Sequence, residues 1–133
     1  VTKEDLAELT PVARLLGRDI ERFDPDGTIH VRFTARPEFA NRHGSVQGGL
    51  VAAMLDSATS AVLLAQLPPE QTSMTVKLET EFLRPAPLTV LVAKAWLMSR
   101  DERSATTRGE LRDADGTVVA AATATLRILP RRR

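Results

Sequence analysis

The chain has 133 residues, 43% of them hydrophobic and 26% charged, and a net charge of +1, a composition that suits one globular domain burying roughly two thirds of its unfolded surface. It has no cysteine and only two histidines, His30 and His43, which excludes a disulfide framework, a thiolate nucleophile, a zinc–cysteine site and a histidine-based metal cluster. The near-neutral charge and the lack of an internal basic stripe leave no case for nucleic acid.

The first 19 residues carry acidic side chains beside short apolar runs, unlike a secretory signal. Thr2 is placed to cap a helix through about Leu16, with Leu6, Leu9, Ala13 and Leu16 on one face and Pro11 kinking or splitting it. The turn residues Asp24, Pro25, Asp26 and Gly27 separate expected strands at 19–23 and 28–34, the second with Ile29, Val31 and Phe33 alternating with polar partners. A loop over 36–46 leads to a helix from Gln47 to about Ala65, stopped by Pro68 and Pro69. That apolar run is shorter than a membrane span of about 20 residues, and Asp56 interrupts it, so no membrane is expected and the location is expected to be cytoplasmic. Beyond it everything reads as strand. Met74, Val76, Leu78, Thr80 and Phe82 alternate with Thr75, Lys77, Glu79 and Glu81. A break at Arg84 to Pro87 precedes a strand over 88–98, apolar on both faces as a central strand would be. Turns at 100–103 and 113–116 then divide off strands at 104–112 and 117–128. The three terminal arginines read as a solvated tail. One long helix followed by four strands in hairpin succession implies an α+β fold, an antiparallel sheet packed on a central helix. Ala52, Ala53, Ala58 and Ala61 would let the sheet approach that helix closely.

The segment Asn41-Arg42-His43-Gly44-Ser45-Val46-Gln47-Gly48-Gly49, with Asp56 downstream, carries the chemistry. Glycines opening a helix leave backbone N–H groups free at its positive end, where developing negative charge is favoured. Two turns on, a carboxylate in apolar surroundings is costly unless it is paired, hydrogen-bonded or used. An oxyanion donor and a general base are what hydrolysis of an activated acyl group requires. The structural alternatives are a buried carboxylate bonded to backbone or to Ser60, a glycine pair that only permits a tight turn, and an Asn41 that only shapes its loop. Ser57, Thr59 and Ser60 have no histidine at a recognisable spacing, so a serine-hydrolase reading fails.

The joint spacing of Asn41, Gln47, Gly48 and Asp56 resembles the hotdog-fold acyl-CoA thioesterases of the phenylacetate-pathway (PaaI-like) group, related to 4-hydroxybenzoyl-CoA thioesterases, over about residues 39–87. The resemblance implies a single hotdog thioesterase domain over 1–133, an acyl-CoA substrate of aryl or fatty type, and no metal or redox cofactor. It implies Asp56 as general base on water or as nucleophile forming a mixed anhydride, and the Gly48 N–H as the group that polarises the thioester carbonyl. Asn41 would help to hold water and substrate, with Gly49, Ser60 and Thr75 near the substrate. Gln47 stands where many relatives carry His. It can donate a hydrogen bond but cannot titrate, and a thiol with a pKa near 8.5 leaves without much help. The depth of the acyl pocket would rest on Trp96, Phe82 and Met54, and Arg84, Arg100, Arg103 and Arg108 are candidates for the CoA phosphates.

Helix geometry adds a further expectation. Gly48 and Asp56 are eight residues apart, about 12 Å along one helix, whereas an attacking atom must come within about 3–3.5 Å of the thioester carbon. Two antiparallel helices across a two-fold axis would bring Gly48 of one chain beside Asp56 of the other, so a shared site is expected in a homodimer at least, with a homotetramer anticipated. A non-catalytic acyl-CoA-binding protein and an enoyl-thioester hydratase remain the alternatives.

Overall fold

The computed structural model describes residues 3–132. Its N-terminal segment forms two short helices, α1 (Lys3–Ala7) and α2 (Pro11–Leu15), the second of the two outcomes expected at Pro11. Pro11 is the cause: it lacks an N–H and would clash with the carbonyl four residues back, so it is tolerated only in a first helical turn. Thr10 caps α2, its Oγ1 accepting from the Ala13 N–H at 3.3 Å. The expected Thr2 cap lies outside the described residues.

Strands β1 (Asp19–Phe23) and β2 (Ile29–Thr34) form a hairpin. Its turn is closed by Gly27 at φ +93° and by Asp26, whose Oδ1 accepts from the Thr28 N–H at 3.0 Å. A single helical turn at Pro37–Phe39 and a loop then lead to α3 (Gly48–Leu64), which runs for 17 residues and ends within a residue of its expected boundary. Strands β3 (Gln71–Phe82), β4 (Val90–Arg100), β5 (Ser104–Arg112) and β6 (Val118–Pro130) follow. All six strands make one antiparallel sheet in the order β1-β2-β4-β5-β6-β3. The chain therefore crosses from β2 to the far edge of the sheet through α3, and β3, although the first long strand, is an edge strand.

The sheet lies against α3 through β2, β3, β4, β5 and β6. Ile29, Val31 and Phe33 on β2 and Met54, Leu55, Ala58 and Val62 on α3 are wholly buried between the two layers. The alanines do not fully explain the close approach. Gly109 on β5 also contributes, since a Cβ there would stand 3.0 Å from Thr59 Cγ2. Ala58 faces the core, but Ala53 borders a cavity at the side of the helix. Around Gly109 the buried threonines are satisfied: Thr59 Oγ1 donates to the Leu55 carbonyl at 2.8 Å and Thr107 Oγ1 to the Thr59 carbonyl at 3.1 Å.

The strict alternation expected along β3 is broken. A bulge between Thr75 and Lys77 inserts one unpaired residue against β6 and reverses the phase of the strand. From residue 74 onward Thr75, Leu78 and Thr80 are the part-buried positions, while Met74, Val76 and Phe82 are 49%, 47% and 57% exposed. On β6, buried and less buried residues alternate from Ala122 through Ala124 and Leu126, whereas Val119 to Ala122 are all buried, next to the register shift with β5.

Candidate active site

Asp56 sits on a part-buried side of α3, and its Oδ1 accepts from Thr75 Oγ1 at 2.9 Å. The Ser60 hydroxyl lies 3.2 Å from Thr75 Oγ1. A threonine hydroxyl has one proton to give. Since Thr75 gives it to Asp56, Ser60 is the donor to Thr75, and a directed chain runs Ser60 to Thr75 to Asp56. Ser60 is one helical turn beyond Asp56 and so shares its face. Thr75 reaches the carboxylate because the β3 bulge turns it toward the helix. Among the described residues no other hydrogen bond or ion pair reaches the Asp56 carboxylate, which leaves Oδ2 available to a ligand.

The start of α3 is built by the preceding loop. The Gln47 N–H donates to the Phe39 carbonyl at 2.8 Å and the Val46 N–H to the Ala86 carbonyl at 2.9 Å. Asn41 organises the loop itself. Its Oδ1 accepts from the N–H groups of His43 (2.9 Å) and Ser45 (3.1 Å), its Nδ2 donates to Ser45 Oγ at 3.0 Å, and Gly44 takes φ +79°. Of the two roles open to Asn41, its side chain performs the loop-shaping one, at the wall of a cavity that also touches Gly48. Gln47 is the N-cap residue and makes no side-chain cap bond; its side chain is exposed. The Gly48 and Gly49 N–H groups meet no acceptor among the described residues, as expected of a first helical turn. A Cβ at Gly48 would touch Phe82 at 3.4 Å, whereas one at Gly49 would meet nothing within 4 Å.

Within one chain Gly48 and Asp56 border different cavities. That of Gly48 is about 380 Å³, with Val51, Phe82, His43 and Arg84 among its walls. That of Asp56 is about 220 Å³, an open cleft bordered by α3 and by the N-terminal segment through Leu6, Val12 and Leu16. Of the other side chains expected to set pocket depth, Met54 is buried in the core and Trp96 borders a groove with Lys94 and Glu110, so neither touches either cavity. Arg84 is exposed at the Gly48 cavity; Arg108 is engaged on the sheet, donating to Thr123 Oγ1 at 2.7 Å.

Sequence reasoning did not find the contribution of α1 and α2. Arg18 Nη2 donates to the Leu6 carbonyl and reaches the Glu8 carbonyl at 3.5 Å, while its buried Nε has no partner among the described residues. Loss of solvent pulls its pKa below the usual guanidinium value. Arg18 follows α2 in the chain, and nothing local to it indicates what it ties together.

The profile of the thioesterase superfamily matches residues 43–120, the stretch that carries Gly48, Asp56 and Thr75. The chain belongs to that superfamily: it is a hotdog-fold thioesterase of the PaaI-like group. It is similar to a phenylacetic acid degradation-related protein from Ralstonia eutropha JMP134, with 37% identity over 91% of this chain and 92% of that one and a TM-score of 0.86. The BH2602 protein of Bacillus halodurans, whose structure was solved with CoA, is 26% identical over 96% of this chain and 81% of that one, with a TM-score of 0.82. The PaaI protein of the Escherichia coli phenylacetic acid degradation operon shares the fold at 22% identity, with 95% and 89% of the two chains covered and a TM-score of 0.85. No curated protein matches the chain significantly.

Proposed function

We propose that this single hotdog domain hydrolyses acyl-CoA thioesters of aryl or fatty type, using Asp56 of one subunit and the helix start at Gly48 of another. The observation that carries the reading is the Asp56 carboxylate, held at Oδ1 by Thr75 and open at Oδ2, on the wall of an apolar cavity. Oδ2 takes a proton from water as the water oxygen bonds to the thioester carbon. The carbonyl oxygen gains negative charge against the Gly48 N–H, and collapse breaks the C–S bond to release CoA thiolate. An attack by Oδ2 itself would give a mixed anhydride that water then opens, and it uses the same carboxylate. Gln47, exposed at the same helix end, donates to the carbonyl or the leaving sulfur. Asn41 holds the loop that presents both groups, and Gly49, with open space where a Cβ would be, lets the substrate pass close to the backbone. A CoA-bearing relative with the same fold supports CoA as the thiol.

The separation of Gly48 from Asp56 into two cavities supports a site shared between subunits. So does the outer edge of β3, which no described strand pairs; the strand carries exposed Met74, Val76 and Phe82. Open edges of this kind are sites of strand addition, and a second copy of the chain is the natural occupant; a tetramer would follow from pairing such dimers.

The test is release of free thiol from a panel of acyl-CoAs by the wild type and by Asp56→Asn. Turnover lost in the folded variant supports the reading; retained turnover removes Asp56 from the mechanism, and tight binding without turnover in the wild type would indicate a sensor. For sharing, Asp56→Ala and a Gly48 variant that blocks the carbonyl are mixed and allowed to exchange. About half the dimers become heterodimers with one intact site of two, so roughly a quarter of wild-type activity should return.

A further inference from the structure

The charges along β3 restrict how a second copy can lie against its outer edge. Among the described residues only β6 pairs with β3, so the backbone groups of the other edge are free to receive a strand. The register with β6 sorts the side chains of β3 into two faces. Ser73, Thr75, Leu78, Thr80 and Phe82 stand opposite buried residues of β6 and so face the helix. Met74, Lys77, Glu79 and Glu81 face away from it. Lys77 and Glu79 are neighbours on that outer face, with Nζ and Oε1 3.5 Å apart and both side chains exposed. Thr75 marks the Asp56 end of the strand, through its hydrogen bond, and Phe82 marks the Gly48 end, where a Cβ would touch it at 3.4 Å.

A site shared between copies needs both helices on one side of the joined sheet. A two-fold axis perpendicular to the sheet provides that and runs the two β3 strands antiparallel. Residues directly opposite each other then share a face, so the residue on the axis meets its own copy. To bring the Thr75 end of one strand to the Phe82 end of the other, the axis must pass within residues 77–80. Centred on Lys77 or Glu79, it sets that residue against its own like charge; centred on Thr80, it sets Glu79 against the partner's Glu81. Centred on Leu78, it sets Lys77 opposite the partner's Glu79 and Glu79 opposite the partner's Lys77, four charges alternating round a square. Like charges directly opposite destabilise a sheet, and opposite ones stabilise it. We infer that two copies join along β3 about an axis through Leu78. This rests on the shared site proposed above and supplies its register. Past the bulge the pairing advances by one residue. The partner's Thr80 then stands opposite Thr75, the residue that holds Asp56, and the partner's Glu81 opposite Met74. The partner's Phe82 stands opposite Ser73, two residues from Thr75, so the partner's Gly48 is drawn toward Asp56.

The chain has no cysteine, so single cysteines report the register by disulfide formation in the whole protein. Across the axis the two Leu78 Cα atoms stand about 4.5–5.5 Å apart, within the span of roughly 4.4–6.8 Å that a disulfide bridges. Leu78→Cys should therefore cross-link to a dimer under mild oxidation. The two copies of residue 79 lie diagonally, about 8 Å apart, as do those of residue 77. Glu79→Cys alone and Lys77→Cys alone should lag far behind Leu78→Cys, whereas the two variants mixed and allowed to exchange should cross-link to each other. Both positions are exposed, so this mixture decides the register even if Leu78→Cys does not fold. Glu81→Cys mixed with Met74→Cys should cross-link in the same way if the bulge advances the pairing. Lys77→Glu turns two attractive pairs into repulsive ones and should raise the dimer Kd about tenfold; adding Glu79→Lys restores the alternating square and should reverse the loss. Faster cross-linking of Glu79→Cys or Lys77→Cys to itself than of the mixed pair, or a double charge swap that stays weak, overturns the register. Cross-linking needs no substrate, so failure of the hydrolase reading appears separately, as thiol release surviving in Asp56→Asn.

Discussion

Replacing Thr75 by valine keeps the shape of the side chain and removes the only described hydrogen bond to the Asp56 carboxylate, the 2.9 Å bond at Oδ1. A hydrogen bond to a charged group contributes about 1.5–3 kcal/mol. If the whole of that serves to hold Asp56 in its reacting orientation, kcat should fall by about 10- to 150-fold at about 1.4 kcal/mol per decade. Ser60 lies one step further back, and its loss leaves the proton of Thr75 still directed at Asp56. Ser60→Ala should therefore cost much less, within about threefold, the weight of a neutral hydrogen bond of about 0.5 kcal/mol. Thr75→Ser keeps the hydroxyl and should restore most of the activity. The assay is thiol release under saturating acyl-CoA, with KM measured alongside, since an effect on orientation lowers kcat and one on binding raises KM. Thr75→Val within twofold of wild type, beside an inactive Asp56→Asn, would refute the idea that the hydroxyl chain orients the base.

Three other outcomes are expected. Gly109→Ala puts a Cβ 3.0 Å from Thr59 Cγ2 and should destabilise the fold by about 1–3 kcal/mol, read as a lowered Tm; an unchanged Tm would mean that the helix and sheet part easily there. Gln47→Ala should reduce turnover less than Asp56→Ala, because the Gly48 N–H shares its work, and Gln47→His should be tolerated; the reverse order in folded protein would undo that division. Asp101 is held below the usual carboxylate range by the N–H groups of Arg103 and Ser104. A depressed folded-state pKa stabilises above the unfolded value and is lost as pH falls through the folded one. Asp101→Asn should therefore lower Tm at pH 7 and lose that difference below about pH 4; an equal deficit at both pH values would exclude the charge as its source.

Much of the fold was readable because it rests on local rules. Turn chemistry at Asp24 to Gly27, at Asp101 and at Asp113 marks three hairpins, and in each the Asp or its neighbour accepts backbone N–H groups as such turns require. The prolines at 68 and 69 end the long helix for reasons that need no partner. The close approach of helix and sheet at Gly109 was not readable in the same way. Gly109 carries no positive φ and stands in a strand, where a glycine only weakens local propensity. Its purpose is visible only when Thr59, fifty residues earlier, is found opposite its missing Cβ.

The site divides along the same line. Asp56 and Gly48 could be singled out because each violates a local expectation: a carboxylate in an apolar helix, and a glycine pair where a helix should start firmly. Thr75 violates nothing. Its role depends on a bulge that leaves no trace in the alternation of residues 74–82, and the same bulge exposes Met74 and Val76, which a two-residue period would have put inside. One displaced residue thus does two things at once, turning a hydroxyl toward the Asp56 carboxylate and exposing apolar side chains on the strand whose outer edge no described strand pairs. If β3 is where two copies meet, the feature that orients Asp56 and the feature that brings a second Gly48 toward it are the same irregularity. Substitutions that straighten β3 should then weaken association and turnover together.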